Sequence, residues 1–273
     1  MAMSINTNAG AMLALQNLSK TNRGLEMTQL RVTTGLRING PKDDAATFAI
    51  AQNMRGDIAG MSAVKTNLSF GQSVVNVAID TGKAIEDLLI EMKAKTVQAS
   101  QAGLDTDSYT ALNQELTSLR AQIETIIASA DFNGKDLIES AATNFDVLST
   151  VDGSTITISK QSIDATTLSI HTDATVAGTA LTAISQAIIT LSNALASLGS
   201  SAKRVDIQTE FTSKLQDILK QGVGNLVDAD LAEESANLQA FQIKQRLGVQ
   251  ALAIANSGPQ SILDLFRAQP LRL

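Results

Sequence analysis

The sequence predicts a mainly α fold: a long coiled-coil helical hairpin bundle formed by the N- and C-terminal halves, with a small β-hairpin insert in the middle. Three observations predict it. Apolar residues recur at alternating steps of four and three through residues 50–92, which is coiled-coil spacing. Residues 42–258 contain no proline. Aromatic residues make up 3% of the 273 residues, which favours thin apolar stripes on packed helices over one thick core.

Composition also narrows the classes of function. With 21 Lys and Arg against 27 Asp and Glu, the net charge is −6, which is atypical of a nucleic-acid binder. The absence of Cys excludes disulfides, zinc–thiolate sites and Cys nucleophiles. His171 is the one imidazole, and no residue near it in sequence is placed to orient it as a base. We therefore predict no catalytic, cofactor or metal site and no enzyme activity.

The two ends of the chain carry apolar stripes that are poor in bulky side chains. Isolated helices of this kind are marginal, because packing stabilises most helices more than intrinsic propensity does. We therefore expect the ends to order when a partner supplies the other half of their core. The stripes are Leu15, Leu18, Leu25 and Val32 at the start, and Leu231, Leu238, Phe241, Leu247, Leu252 and Ile254 at the end.

Further stripes predict the helices between the ends. Residues 50–92 predict one long helix that stops near Gly103, with a new N-cap at residues 104–106. A second stripe follows over residues 109–126 and ends before the turn signature at residues 131–134. A third runs over residues 181–198 and resumes over 207–218. Gly222 and Gly224 predict a flexible break before the last helix. No run of 18 uncharged apolar residues occurs, so no transmembrane helix is predicted.

The middle of the chain differs from the helical halves in composition and in hydrophobic pattern. Fourteen of the residues 143–179 are Ser or Thr, and β-branched alternation appears at residues 155–159. The Asp152-Gly153 dipeptide between these segments predicts a β-hairpin with a type I′ turn. The alternative is a Ser/Thr-rich surface linker.

A Gly-rich segment at residues 34–46 contains Lys42 and invites a phosphate-loop interpretation. Its spacing differs from a Walker A loop, and no strand is predicted before it. An ordered connector explains it better, with Asp43 and Asp44 capping the next helix. No third carboxylate lies nearby to complete a metal site with these two.

Several motifs in this order resemble bacterial flagellin, in particular its short, alphaproteobacterial type. The resemblance covers about 140 residues at the front and about 90 at the back of the chain. The motifs are Ser4-Ile5-Asn6-Thr7-Asn8, Thr33-Thr34-Gly35-Leu36-Arg37-Ile38-Asn39, Lys42-Asp43-Asp44-Ala45-Ala46, Ala49-Ile50-Ala51, Phe132-Asn133-Gly134, Asp230-Leu231-Ala232-Glu233-Glu234-Ser235, Leu247-Gly248-Val249-Gln250-Ala251-Leu252 and Ile254-Ala255-Asn256.

The resemblance implies a domain organisation. Residues 1–42 and 226–273 would be the terminal helices of an inner filament core, and residues 43–140 and 177–225 an outer-tube helical domain. Residues 141–176 would be a short Ser/Thr-rich β-hairpin insert. Residues 268–273 extend beyond the usual family end.

The resemblance also implies a function: a subunit that polymerises into the flagellar filament for swimming motility. Such subunits are exported unfolded by the flagellar type III apparatus and reside in the extracellular flagellum. Implied partners are other identical or closely related flagellins, an export chaperone, the filament cap and hook-associated proteins, with no nucleic acid and no membrane insertion. The alternative is a hook–filament junction protein. The residues expected to serve assembly are Leu15, Leu18, Leu25, Val32, Arg37, Asn39, Lys42, Asp43, Asp44, Leu231, Leu238, Phe241, Leu247, Val249, Leu252 and Ile254.

Overall fold

The computed structural model describes residues 7–166, 168, 170 and 172–267. His171 and residues 268–273 lie outside the described residues. The described part contains five α-helices and one two-stranded antiparallel sheet. In chain order the elements are α1 Ala9–Thr34, α2 Ala45–Ala99, α3 Thr106–Ala128, β1 Phe145–Leu148, β2 Thr155–Ile158, α4 Ala177–Val227 and α5 Leu231–Arg267, with a short 3₁₀ turn at Ala174–Val176 before α4. The predicted fold class is confirmed.

The chain divides into two compact units. The terminal unit comprises Met1–Arg55 and Lys220–Leu273, and the central unit comprises Gly56–Leu219. Helices α2 and α4 each contribute residues to both units. The predicted insert at residues 141–176 falls inside the central unit. The domain boundaries predicted at residues 42 and 226 stay a prediction.

In the central unit, α3 follows α2 after a short loop and contacts its C-terminal part. Asp105 begins α3 as its N-cap, because its carboxylate accepts a hydrogen bond of 2.8 Å from the Ser108 amide. The Lys95 ammonium lies 2.5 Å from the Glu115 carboxylate and ties the two helices together. The predicted stop before residue 103 and the new N-cap are therefore confirmed.

Helix α4 runs antiparallel to α2 within the central unit. The Ser192 hydroxyl lies 3.4 Å from the Glu86 carboxylate, and Gln216 donates to the Ile58 carbonyl at 3.2 Å. The stripes predicted over residues 50–92, 109–126 and 181–198 supply buried side chains. These include Val64, Leu68, Val75, Ile85, Leu89 and Met92 on α2, Leu112, Leu116 and Ile123 on α3, and Ile184, Leu191 and Leu198 on α4. The stripe predicted to resume over residues 207–218 is wrong as a core face, because Ile207, Phe211 and Ile218 are exposed, whereas Val205 and Thr212 are buried.

The predicted break at Gly222 and Gly224 is wrong, because α4 continues to Val227. A methyl group on Gly222 would lie 2.9 Å from the terminal methyl carbon of Met54, a flexible side chain that can shift to accommodate it. At Gly224 a methyl group would lie 2.8 Å from an Asp228 carboxylate oxygen. These glycines therefore lie within a continuous helix and do not interrupt it.

The hairpin at residues 145–158 is confirmed, and the linker alternative is wrong for these residues. Its register pairs Phe145 with Ile158 and Leu148 with Thr155. The predicted type I′ turn at Asp152-Gly153 is also wrong. The Gly153 amide donates to the Thr150 carbonyl at 3.3 Å, and Asp152 has no positive φ. A longer loop thus connects the strands, and Gly153 supplies its left-handed residue at φ 90°.

The insert packs closely against α2 at two glycines of that helix, Gly60 beside Val151 and Gly71 beside Val147. A methyl group on Gly71 would lie 2.6 Å from Cγ2 and 3.0 Å from Cγ1 of Val147, which is buried. The Phe70 ring lies 5.6 Å from the ring centroid of Phe132 and 5.9 Å from that of Phe145. The middle of the chain therefore belongs to the core of the central unit.

Helix α4 is long and apolar enough, by length and composition alone, to cross a membrane. Its best window has a mean hydropathy of 1.4, and 28% of that window is buried. Ile184, Leu191 and Leu198 lie in the core, so packing accounts for part of this hydropathy.

Candidate assembly surface

The terminal helices α1 and α5 pair with each other. Asn8 begins α1, since its side-chain oxygen accepts a hydrogen bond of 3.0 Å from the Ala11 amide. The same side chain donates from Nδ2 to the Ala255 carbonyl at 2.7 Å. Gly35 ends α1 in the left-handed conformation at φ 71°, which glycine adopts without steric cost.

Polar contacts set the antiparallel register of this pair. Arg31 Nη1 lies 2.9 Å from Glu234 Oε1 near one end. In the middle, Gln245 Nε2 donates to Asn22 Oδ1 at 3.0 Å. Because these bonds join residues far apart in sequence, they fix which residues of α1 lie beside which residues of α5.

Glycines let the two helices approach closely. A methyl group on Gly24 would lie 2.7 Å from Cε1 of Phe241, and one on Gly248 would lie 3.2 Å from Cδ1 of Leu18. The half-buried rings and leucines therefore pack directly against the opposite backbone.

The helix pair buries very little apolar surface. Over residues 9–34 and 231–258, the two residues that are buried, Thr28 and Glu234, are both polar. Large apolar side chains remain in solvent, up to 73% exposed at Ile254. Ile243, Leu247 and Ile254 recur at helical spacing and line one face of α5. The exposed set is Met12, Leu13, Leu15, Met27, Leu30, Leu231, Ile243, Leu247, Val249 and Ile254.

The structure separates the predicted apolar assembly residues into two groups. The half-buried group comprises Leu18, Leu25, Val32, Leu238, Phe241 and Leu252. Leu18 and Phe241 in this group lie against glycines of the opposite helix. The exposed group has no such cover: Leu15, Leu231, Leu247, Val249 and Ile254. Only the second group offers free apolar surface to another molecule.

The connector between α1 and α2, residues 35–44, is hydrogen-bonded to the end of α4. The Arg37 amide donates to the Val227 carbonyl at 2.7 Å, and its guanidinium Nη2 donates to the Leu226 carbonyl at 2.7 Å. Leu36 and Asp228 form an isolated antiparallel bridge, and Ile38 is buried beside them. The connector is thus an ordered structure, as predicted.

Asp43 and Asp44 perform different tasks. Asp44 caps α2, accepting from the amides of Ala46 at 3.0 Å and Thr47 at 3.1 Å. Hydrogen bonds from the Thr47 hydroxyl and then its amide lower the pKa of Asp44. The prediction that Asp43 also caps this helix is wrong. Its Oδ2 turns back to accept from the amides of Asn39 at 3.0 Å and Gly40 at 3.2 Å.

The remaining predicted residues of the connector, Asn39 and Lys42, are exposed. Sequence reasoning missed Arg31, Asn22, Gln245 and the two helix-contact glycines, Gly24 and Gly248. Glu234 lies in the acidic first turn of α5 and is also the partner of Arg31. The opposite charges of Arg31 and Glu234 are the sequence signal for this contact once α1 and α5 are aligned as antiparallel helices.

The described residues hold no group of three or more His, Asp or Glu side chains arranged to bind a metal ion. The polar features described for this surface are caps, a backbone bridge, and the hydrogen bonds and ion pair between α1 and α5. Their arrangement positions helices and leaves apolar faces open, which suits association with other helices.

Comparisons with known proteins agree with this geometry. Residues 5–143 match the family model of the bacterial flagellin N-terminal helical region, and residues 181–266 match that of the bacterial flagellin C-terminal helical region. Flagellin FljK of Caulobacter vibrioides is 48% identical over 97% of this chain and 98% of its own length. The flagellin of Brucella melitensis is 37% identical over 97% of this chain and 99% of its own length.

Among solved structures, a protein of Vibrio parahaemolyticus described as flagellar hook-associated has a TM-score of 0.58. It is 13% identical, over 68% of this chain and 100% of its own, so the likeness concerns the fold alone. The two family models and the identity across nearly the whole length confirm the resemblance. This chain belongs to the bacterial flagellin family, in its alphaproteobacterial type.

Proposed function

We propose that this chain is a structural subunit of the flagellar filament that polymerises through its terminal helices. The observation that carries the proposal is the α1–α5 pair, which leaves a stripe at Ile243, Leu247 and Ile254 in solvent. Membership of the flagellin family supplies the kind of partner, further copies of the same or a closely related chain.

Packing is the proposed mechanism. Each exposed apolar side chain that becomes buried contributes roughly 1.5–3 kcal/mol. Association also costs translational freedom and side-chain order, so many such contacts are needed along a filament. The exposed group of the predicted assembly residues supplies them, and the half-buried group holds α1 against α5 so that the stripe is presented.

The wider proposal follows the family. The subunit is exported by the flagellar type III apparatus, guarded by a chaperone, assembled beneath a cap, and resides outside the cell without catalysing a reaction. Residues 1–42 and 226–273 form the inner core, residues 43–140 and 177–225 the outer tube, and residues 141–176 the insert. Identity of 48% to a flagellin over nearly the whole chain favours a filament subunit over the hook–filament junction alternative.

Negative-stain electron microscopy of the concentrated full-length protein tests the proposal. Long tubular filaments are expected. Short assemblies of a few copies at all concentrations would favour the junction alternative, and a monomer at all concentrations would contradict self-assembly.

A further inference from the structure

The chain contains two Asn-Gly dipeptides, Asn39-Gly40 and Asn133-Gly134. This dipeptide is the most labile asparagine context in proteins, because glycine does not shield its own amide nitrogen. Both asparagines are exposed. The two dipeptides lie in unrelated loops, one in the terminal unit and one in the central unit.

The reaction at such a dipeptide is deamidation of the asparagine through a succinimide. Hydroxide removes the proton from the glycine amide, and the nitrogen attacks Cγ of the preceding asparagine. The new N–Cγ bond closes a succinimide ring while the Cγ–Nδ2 bond breaks, and ammonia leaves with a proton taken from water. Water then opens the ring to aspartate or isoaspartate. The glycine N–H must therefore be free to lose its proton and to turn towards Cγ.

At Asn133 the Gly134 N–H lies in a tight turn and donates a hydrogen bond to a carboxylate. Asn133 and Gly134 have φ values of 54° and 73°, between the paired residues Phe132 and Lys135. Phe132 and Lys135 exchange backbone hydrogen bonds of 2.9 and 3.1 Å. The Gly134 amide donates to Asp131 Oδ2 at 3.0 Å. The hydrogen bond to Asp131 thus engages the Gly134 N–H that must be free for the reaction.

At Asn39 a loop of different conformation also places an aspartate carboxylate on the glycine amide. Asp43 Oδ2 accepts from both the Asn39 and the Gly40 amides, at 3.0 and 3.2 Å. The Asp43 amide in turn donates to the Gly40 carbonyl at 3.1 Å, which closes the loop. This contact explains why Asp43 turns away from the helix that Asp44 caps.

We propose that Asp131 and Asp43 protect the two Asn-Gly dipeptides from succinimide formation. Each carboxylate opposes the reaction twice: its hydrogen bond must break before the nitrogen can attack, and its negative charge disfavours an anion forming beside it. Asn133 and Asn39 are consequently latent deamidation sites, and their lifetimes depend on an aspartate nearby in sequence.

Peptide mapping by mass spectrometry tests this on the full-length protein, incubated folded in mildly alkaline buffer. Asp131→Ala should speed deamidation at Asn133 about tenfold, as expected for loss of a charge-assisted hydrogen bond, and leave Asn39 unchanged. Asp43→Ala should do the reverse. The untouched asparagine in each variant reports on global unfolding. In the wild type, both sites should react far more slowly folded than in urea.

Two aspartates in the same loops provide matched controls. Asp136 accepts from the Ile138 amide at 2.7 Å and Asp44 from the Ala46 amide at 3.0 Å, and neither is bonded to an Asn-Gly glycine. Asp136→Ala and Asp44→Ala should leave both rates near the wild type. Three results would overturn the proposal. The first is that the control variant of either loop accelerates deamidation as much as Asp131→Ala or Asp43→Ala does. The others are an unchanged deamidation rate after Asp131→Ala or Asp43→Ala, and equal wild-type deamidation rates in buffer and in urea.

Discussion

Arg31 on α1 and Glu234 on α5 form an ion pair of 2.9 Å between residues that lie 203 positions apart in sequence. The carboxylate side chain is 11% exposed, whereas the guanidinium is 29% exposed. Half-buried apolar side chains alone would leave the two helices some freedom to slide along each other. This contact and the Gln245–Asn22 hydrogen bond hold one register, in which the exposed stripe of α5 is presented outwards.

Arg31→Met should destabilise the helix pair by roughly 1–3 kcal/mol, because it leaves the buried Glu234 carboxylate without its partner. Replacing both residues by Met should restore most of the loss. Urea titration followed by helical circular dichroism measures this. Lys214→Met breaks an exposed pair with Glu210 and is the matched control, with an expected change below about 0.5 kcal/mol. Equal effects of the two single variants would contradict a role for burial.

Gly71→Ala should destabilise the central unit by roughly 1–3 kcal/mol through overpacking against Val147. Both methyl carbons of this buried valine lie within 3.0 Å of the added methyl group, so rotation about χ1 gives no relief. Gly56→Ala is the control, since it lies in the same helix with no atom within 4 Å of the new methyl group. It should stabilise by about 0.5–1 kcal/mol. Thermal melts of both variants would show shifts of opposite sign.

The start of α3 should loosen in acid. Hydrogen bonds from the Ser108 hydroxyl and then its amide lower the pKa of Asp105 below its ordinary value of 3.8. The cap therefore contributes its full stability above that value and loses it as the pH falls through the lower pKa of the folded state. Amide exchange at Ser108, followed by NMR against pH, reports this loss. Asp105→Asn keeps a cap without a charge and should abolish the pH dependence; a persisting acid transition there would place its origin elsewhere.

Ile254→Asp should block polymerisation while leaving the monomer intact. Ile254 is 73% exposed, so the monomer tolerates a charge there, whereas burial in a filament interface would not. We expect the critical concentration for sedimentable filaments to rise at least about tenfold. Phe241→Ala is the contrasting variant, since it removes a contact within the chain and should lower monomer helicity too. Normal assembly of Ile254→Asp would remove this face from the proposed interface.

The long helices were predictable because their packing is periodic. Leu191 and Leu198 recur at the steps that place them on one helix face, and both are fully buried. The hairpin was predictable for the same reason, from alternation at Thr155–Ile158. Its turn type was not, because the loop is closed by the Gly153–Thr150 bond, which the dipeptide Asp152-Gly153 does not specify.

Other features depend on contacts that no local pattern contains. Gly222 resembles a helix breaker in sequence, yet α4 continues through it to Val227. Asp43 and Asp44 are adjacent and chemically identical, yet one accepts from a loop and the other from a helix start. The stripe residues of the ends were predictable as apolar contacts. Which of them pair within the chain depends on a register set by Arg31 and Glu234.

Hydrogen exchange measured on the monomer and on the polymer tests the central claim most directly, that the α1–α5 pair is completed by other copies of the chain. The amides of α1 and α5 should exchange fast in the monomer and become strongly protected in the polymer, because few apolar side chains hold the pair together alone. The core amides around Leu89, Leu116 and Leu191 should be protected in both states. Equal protection of α1 and α5 in monomer and polymer would contradict the account.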